Sequence, residues 1–183
     1  MSVATPQAIA TGTWAVDKVH SHVGFAVKHM VVSTFKGAFE EYEGQLAAGD
    51  DGSLQISGSV GVDSLKVKDE NLAGHLKSPD FFDSAAYPRI SFRSTSVDVG
   101  EGGDLVVEGE LTIKDNTHRV SARGRINGPH TDISGNDRIG VELEAIVDRR
   151  DYGLNWNAPL PKGGFALDND VKLQVTLELV PEA

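Results

Sequence analysis

The chain has 183 residues, no cysteine and a formal net charge of −10. That length suits one domain, able to bury roughly 70% of its unfolded surface and to fold without cross-links. Disulfides, thiolate metal centres and cysteine nucleophiles are excluded, and a negative field with scattered rather than clustered basic residues argues against nucleic acid and anionic membranes as partners.

The opening stretch MSVATPQAIATGTW has no Lys or Arg and no apolar run of signal-peptide length. It reads as a frayed tail over 1–12 ahead of a single domain over 13–181, and the protein is expected in the cytoplasm. The longest apolar runs, such as Met30-Val31-Val32, are too short to span a bilayer, so no stable membrane insertion is expected. HSHVGFAVKH follows, with His20, His22 and His29 around an alternating Val23, Phe25 and Val27. On a regular strand His20 and His22 share one face and His29 takes the other. A metal or acid–base cluster would need a bulge, for which Gly24 is the available site, and no HExxH-like spacing accompanies it.

AAGDDGS at 47–53 is a turn. VKDENLAGHLKSPDFFD at 67–83 departs from the strand pattern: Leu72 and Leu76 stand at i and i+4, and Pro79 closes the segment. A helix over 69–77 is predicted, followed by an extended loop carrying Phe81 and Phe82. Ile90 and Phe92 share a strand face, GEGG at 100–103 is a hairpin turn, and Leu105, Val107, Gly109, Leu111 and Ile113 share one parity. A further turn falls at 127–137. Val141, Leu143 and Ala145 then oppose Gly140, Glu142 and Glu144, and Val171, Leu173, Val175, Leu177 and Leu179 line one side of the last strand. Between them, 148–170 is a long irregular loop with Arg149, Asp151, Tyr152, Leu154 and Trp156. Its aromatic residues either cap the sheet or form the lip of a cavity. The pattern is all-β and antiparallel, a sandwich or barrel; about eight strands can close over a packed core or around a hollow. No Gly-x-Ser-x-Gly elbow and no phosphate-cradling loop is present.

Several blocks carry a resemblance. WAVDKVHSHVGFAVKHM, FKGAFEEYEGQL, LKSPDFFDSAAYPRISFRS, GELTIKDNTHRV, DRRDYGLNW and DNDVKLQVTLEL together resemble the YceI-like family of polyisoprenoid-binding proteins with a lipocalin-like barrel. The likeness runs from about Trp14 to Leu179, and the block at 76–94 is the most specific part. Three features depart from the pattern. Asp115-Asn116-Thr117 stands where the family more often has a glycine turn, Tyr152 replaces a phenylalanine, and His22 lies outside the pattern. Family members are mostly exported; without a leader this chain reads as a cytoplasmic branch.

The resemblance implies an antiparallel barrel of about eight strands holding a polyprenyl or other long-chain lipid, with no cofactor, no metal and no catalysis. Alternation and the matched motifs nominate Phe25, Val27, Phe39, Phe81, Phe82, Ile90, Phe92, Leu111, Ile113, Leu154 and Trp156 as wall residues. Arg149 and Asp151 are placed at the mouth or in a structural ion pair. His20 and His29 are expected to be hydrogen-bonded near the ends of their strand. Edge pairing offers a route to a homodimer. The rival readings are a small hydrolase or isomerase using His20 or His29 as general base on an apolar substrate, and a packed β-domain that acts through its surface.

Overall fold

The computed structural model describes residues 8–183. The tail expected over 1–12 lies, for residues 1–7, outside the described residues. Beyond them, the Trp14 indole donates to the Ala10 carbonyl (3.1 Å), and the first strand begins at Gly12.

Eleven strands follow in chain order. They are β1 (Gly12–Val16), β2 (His22–His29), β3 (Ser33–Phe39), β4 (Tyr42–Ala48), β5 (Leu54–Gly61), β6 (Leu65–Lys66), β7 (Arg89–Val99), β8 (Asp104–Ile113), β9 (Asn116–Thr131), β10 (Asp137–Asp148) and β11 (Leu167–Pro181). The order β1-β4-β5-β7-β8-β9-β10-β11 closes on itself through the β1–β11 pairing, making a closed antiparallel barrel of eight strands. Closure removes the unpaired edges that an open sheet would expose. The three remaining strands continue others of the ring. β1 and β2 both pair with β11, Val16 opposite Leu179 and His22 opposite Thr176. β3 and β4 are likewise one path interrupted at Glu40-Glu41, and β5 and β6 one path interrupted by a 3-10 turn over Val62–Ser64.

The predicted helix is present as α1 (Glu70–Lys77). Asp69 caps it by accepting from the Leu72 amide at 2.8 Å, and Ser78-Pro79 ends it. The segment after it is not the extended loop expected. The Phe82, Asp83 and Ser84 amides turn back onto the carbonyls of Leu76, Ser78 and Lys77. Those are carbonyls that a helix end leaves without partners, so the chain folds tightly there. The turn expected over 127–137 is also shorter: β9 runs to Thr131, carrying Pro129 past a register shift opposite Arg138 and Gly140. A proline, with no N–H to give, is tolerated at such an irregularity.

Burial divides the barrel. At one end Trp14, Leu46, Leu105, Val107, Ile139, Val141 and Leu179 are at most 2% exposed and pack into one cluster. Each such aliphatic side chain contributes roughly 1.5–3 kcal/mol of transfer free energy. At the other end a second cluster joins Phe39, Tyr42, Leu65, Leu76, Phe81, Leu111, Ile113, Val147, Tyr152 and Leu154, drawn from the strands, α1 and the loop after β10. This second end is hollow.

Candidate functional site

A cavity of about 600 Å³ occupies the hollow end. That is within the usual range for small-molecule sites, and its wall is built mainly from residues of β2, β3, β5, β7, β8, β10 and β11 with α1. The exposed members of the wall include His29, Ser33 and Thr34, which with Ala166 and Leu167 mark a mouth between the β2–β3 hairpin and the loop before β11.

Two glycines explain why phenylalanines line this space rather than fill it. Gly37 lies opposite Phe25 across β2 and β3, and a Cβ there would stand 2.5 Å from the Phe25 Cζ. Gly109 faces inward beneath Phe92, and a Cβ there would strike that ring and stand 2.6 Å from the Arg93 carbonyl oxygen. Each ring therefore lies along the wall over a residue with no side chain. Phe25 also contacts Phe35, Phe39 and Phe82 at centroid distances of 6.4, 6.0 and 6.4 Å, in tilted and edge-on arrangements favoured by aromatic quadrupoles.

The loop beside the mouth is held by a buried cation. After β10, a 3-10 turn over Arg149–Tyr152 is capped by Asp148 and ends at Gly153 in a left-handed conformation (φ 73). Arg149, 5% exposed, donates to the carbonyl oxygens of Leu154 (2.6 Å), Trp156 (2.8 Å) and Asp168 (2.9 Å). Among the described residues it has no carboxylate partner, and burial lowers its proton affinity. The ion pair expected as one alternative for Arg149 and Asp151 is not found among the described residues, although Arg149 does stand on the cavity wall. Arg149 clamps backbone carbonyls, and Asp151 is exposed and outside the cavity wall. The salt bridge of this turn is instead Arg150 to Asp148, at 2.6 Å.

The histidines separate. His20 falls in the break between β1 and β2, not on a strand, and its Nδ1 donates to Asp17 Oδ2 at 2.9 Å. Arg138 reaches the same Asp17 oxygen (2.8 Å), Glu178 (2.6 Å) and Asp132 (2.7 Å). Its guanidinium fills the place a cation would take among Asp17, His20 and Glu178, and it helps hold the Asp17 carboxyl down to about 2. His20 is thus satisfied as expected, but away from the cavity wall. His22 is exposed and faces outward. His29 faces inward at the mouth and its ring makes no hydrogen bond among the described residues, contrary to expectation. Its exposure leaves water as partner.

Twelve of the thirteen nominated residues stand on the cavity wall: Phe25, Val27, Phe39, Phe81, Phe82, Ile90, Phe92, Leu111, Ile113, Arg149, Leu154 and Trp156. Several wall residues were not nominated. Val171 and Leu173 were visible as one face of the last strand, and Leu72 and Leu76 as one face of the helix. His75 carried no comparable signal. Its ring meets Phe81 and Trp156 edge-on at 5.1 and 4.8 Å while its Nε2 donates to Asp80 at 3.0 Å. Tyr152, left open between capping the sheet and forming a lip, is 1% exposed and buried in the wall, and burial pushes its hydroxyl up to about 12.

Comparison with known proteins agrees with this architecture. A UPF0312 protein of Staphylococcus aureus is 32% identical over 167 residues, covering 88% of this chain and 94% of its own. Two solved structures share the fold at lower identity. Burkholderia cenocepacia BcnA has a TM-score of 0.75 at 20% identity, covering 89% of this chain and 98% of that one. A polyisoprenoid binding domain from Saccharophagus degradans, implicated in plant cell wall breakdown, has a TM-score of 0.67 at 15% identity, covering 92% and 98%. No helix among the described residues is long and apolar enough to cross a membrane. The model of the YceI-like domain matches residues 14–179, and the chain belongs to that family.

Proposed function

We propose that the protein binds and carries a long apolar molecule, a polyisoprenoid, isoprenoid quinone or similar lipid, inside the hollow end of the barrel. The carrying observation is a cavity of about 600 Å³ behind an apolar wall, in a barrel that elsewhere packs Trp14, Leu46, Leu105, Val107, Ile139, Val141 and Leu179 to at most 2% exposure. A fold that needed only stability would fill that space, because unfilled volume forfeits dispersion contacts. The fold-sharing polyisoprenoid binding domain supports the same ligand class.

At roughly 30 Å³ per non-hydrogen atom, the share of a water in the liquid, the cavity accommodates about 20 carbons. A longer chain leaves its remainder and its polar head at the mouth. At about 0.8 kcal/mol per buried methylene, 20 carbons represent about 16 kcal/mol gross, before ordering costs. The wall discriminates poorly among chains of similar length, and the head group at the mouth carries specificity.

Binding is preferred over histidine-dependent catalysis because His20 is away from the wall and His29 lacks an orienting partner. His29→Gln should leave lipid loading unchanged. Native mass spectrometry of the purified protein should show a retained apolar adduct. Delipidated protein should gain about 2.7 kcal/mol at a prenyl lipid concentration of about 100 Kd. Absence of both adduct and stabilisation would leave a domain that acts through its surface.

A further inference from the structure

We infer that the mouth of the barrel docks on an anionic lipid bilayer through the tip of the β2–β3 hairpin, a step that rests on the carrier reading above. The tip is Met30-Val31-Val32, with exposures of 44%, 86% and 83%, and Phe165 of the neighbouring loop is 61% exposed. The two loops adjoin: the Met30 amide donates to the Ala166 carbonyl at 2.8 Å. His29, Ser33 and Ala166, directly beside these residues, border the cavity. Four of the eight exposed large apolar side chains among the described residues, Met30, Val31, Val32 and Phe165, therefore stand together where the hollow meets solvent, while Val19, Val99, Ile133 and Ile146 are scattered elsewhere. Contiguous apolar groups so placed mark an interaction surface. Met30 and Val31 hold φ of 52° and 63°. A β-branched residue adopts that conformation at a cost that glycine or asparagine would avoid. The turn itself would be served better by a polar residue.

Charge distinguishes a bilayer from other occupants. The chain has 27 Asp and Glu, yet none lies between Asp17 and Glu40 or between Asp151 and Asp168. Those two acid-free stretches hold the hairpin and the neighbouring loop, and they carry the exposed Lys28, Lys36 and Lys162. The net negative charge of the whole molecule is thinner at this rim, where the exposed Asp168 and Asp170 sit in the β11 irregularity across from Lys28 while Lys36 and Lys162 lie within the acid-free stretches. Lys28 stands three residues behind Val31, about 10 Å at the rise of a strand. Interfacial apolar anchors sink about 5–10 Å into the head-group boundary, which brings such ammonium groups to the phosphate layer. A second copy fits less well, since a two-fold interface on this tip would set Lys28 and Lys36 against their own images. Docked this way, the mouth faces the lipid phase and cargo enters without crossing water.

The test is flotation of delipidated protein with vesicles of phosphatidylcholine alone and with roughly one-third phosphatidylglycerol, alongside the variant V31N/V32S. Asparagine tolerates the left-handed turn, so the variant retains the fold. The wild type should float with the anionic vesicles and be released by high salt. The variant should bind roughly tenfold or more weakly, while still loading a prenyl alcohol presented in detergent. A wild type that loads the alcohol but stays in the buffer with both vesicle types overturns docking and leaves the carrier reading standing. A wild type that neither floats nor loads removes both. A wild-type dimer by light scattering that becomes monomeric in V31N/V32S, without vesicle binding, assigns the tip to a second copy and also overturns the inference.

Discussion

Arg149→Met removes the clamp on the mouth loop while keeping most of the buried stem. Three hydrogen bonds from a charged donor, to Leu154, Trp156 and Asp168, are lost together. Such bonds contribute about 1.5–3 kcal/mol each, and the carbonyls left behind add a desolvation penalty. Opposing this, burial already disfavours the charge of Arg149, so methionine recovers part of that cost. Bonds sharing one donor group are not additive. The net expectation is a loss of about 2–4 kcal/mol, read as a fall in the urea midpoint at unchanged slope. Arg149→Lys should lie between, since an ammonium cannot reproduce the planar fork that spans three carbonyls. Amides of 154–167 should exchange faster in both variants, ahead of those in β8 and β10. A methionine variant within about 1 kcal/mol of wild type, with unchanged exchange in that loop, would refute the clamp.

Three other predictions follow from local geometry. Gly109→Val should cost about 1–3 kcal/mol by overpacking and swing the Phe92 ring into the lumen, reducing lipid loading in native mass spectra; unchanged loading would contradict the role given to Gly109. Lys114 and Asp115 turn the β8–β9 hairpin with φ of 51° and 61°. Asp115→Gly should relieve a left-handed penalty of about 1–2 kcal/mol against a chain-entropy cost of about 0.5–1 kcal/mol, a small net gain, and a loss on thermal unfolding would count against it. Asp17, Asp132 and Asp148 are lowered from 3.8 to about 2 by Arg138, His20 and Arg150. Their contribution is complete above the ordinary carboxyl value and is lost as pH falls from about 4 through about 2. His20 is raised, chiefly by its bond to Asp17, so its contribution is present below 6.5 and is lost as pH rises through its folded value. In urea denaturation Arg138→Met should remove the part of the acid limb due to Asp132 and reduce that due to Asp17, leaving the parts due to Asp17 with His20 and Asp148 with Arg150.

Elements set by local chemistry were legible in the sequence. Alternation at Leu105 to Ile113 and at Val171 to Leu179 reports strands with one wet face, and Asp69, Leu72, Leu76 and Pro79 mark a helix with both ends. The wall residues were legible for the same reason, because facing the lumen and facing a core impose the same parity. What escaped depends on distant partners. Arg149 reads like any arginine after a strand, and only the fold brings the Leu154, Trp156 and Asp168 carbonyls around it. Asp151, two residues away, was carried along by proximity in sequence. His20 was counted on the strand with His22, although it lies in the turn between β1 and β2. Period two cannot register such an interruption. Nor does it distinguish a filled barrel from a hollow one; that depends on Gly37 and Gly109 lying under aromatic rings from neighbouring strands.

The interruptions in the first three strand paths fall side by side. The Glu40 amide donates to the Ser64 carbonyl and the Gly61 amide to that of Glu41. The Tyr42 hydroxyl donates to the Ser21 carbonyl at 2.7 Å, with that of Lys18 at 3.2 Å. A single transverse seam therefore runs across this part of the sheet, pinned at Tyr42. On one side of it β2 and β3 border the lumen; on the other, Val16, Tyr42, Gly44 and the β5 residues Ile56 to Val60 border it too. One sector of the lumen wall thus has its own line of articulation. Guests of different bulk can be met by a tilt of that panel, with the packed base left undisturbed.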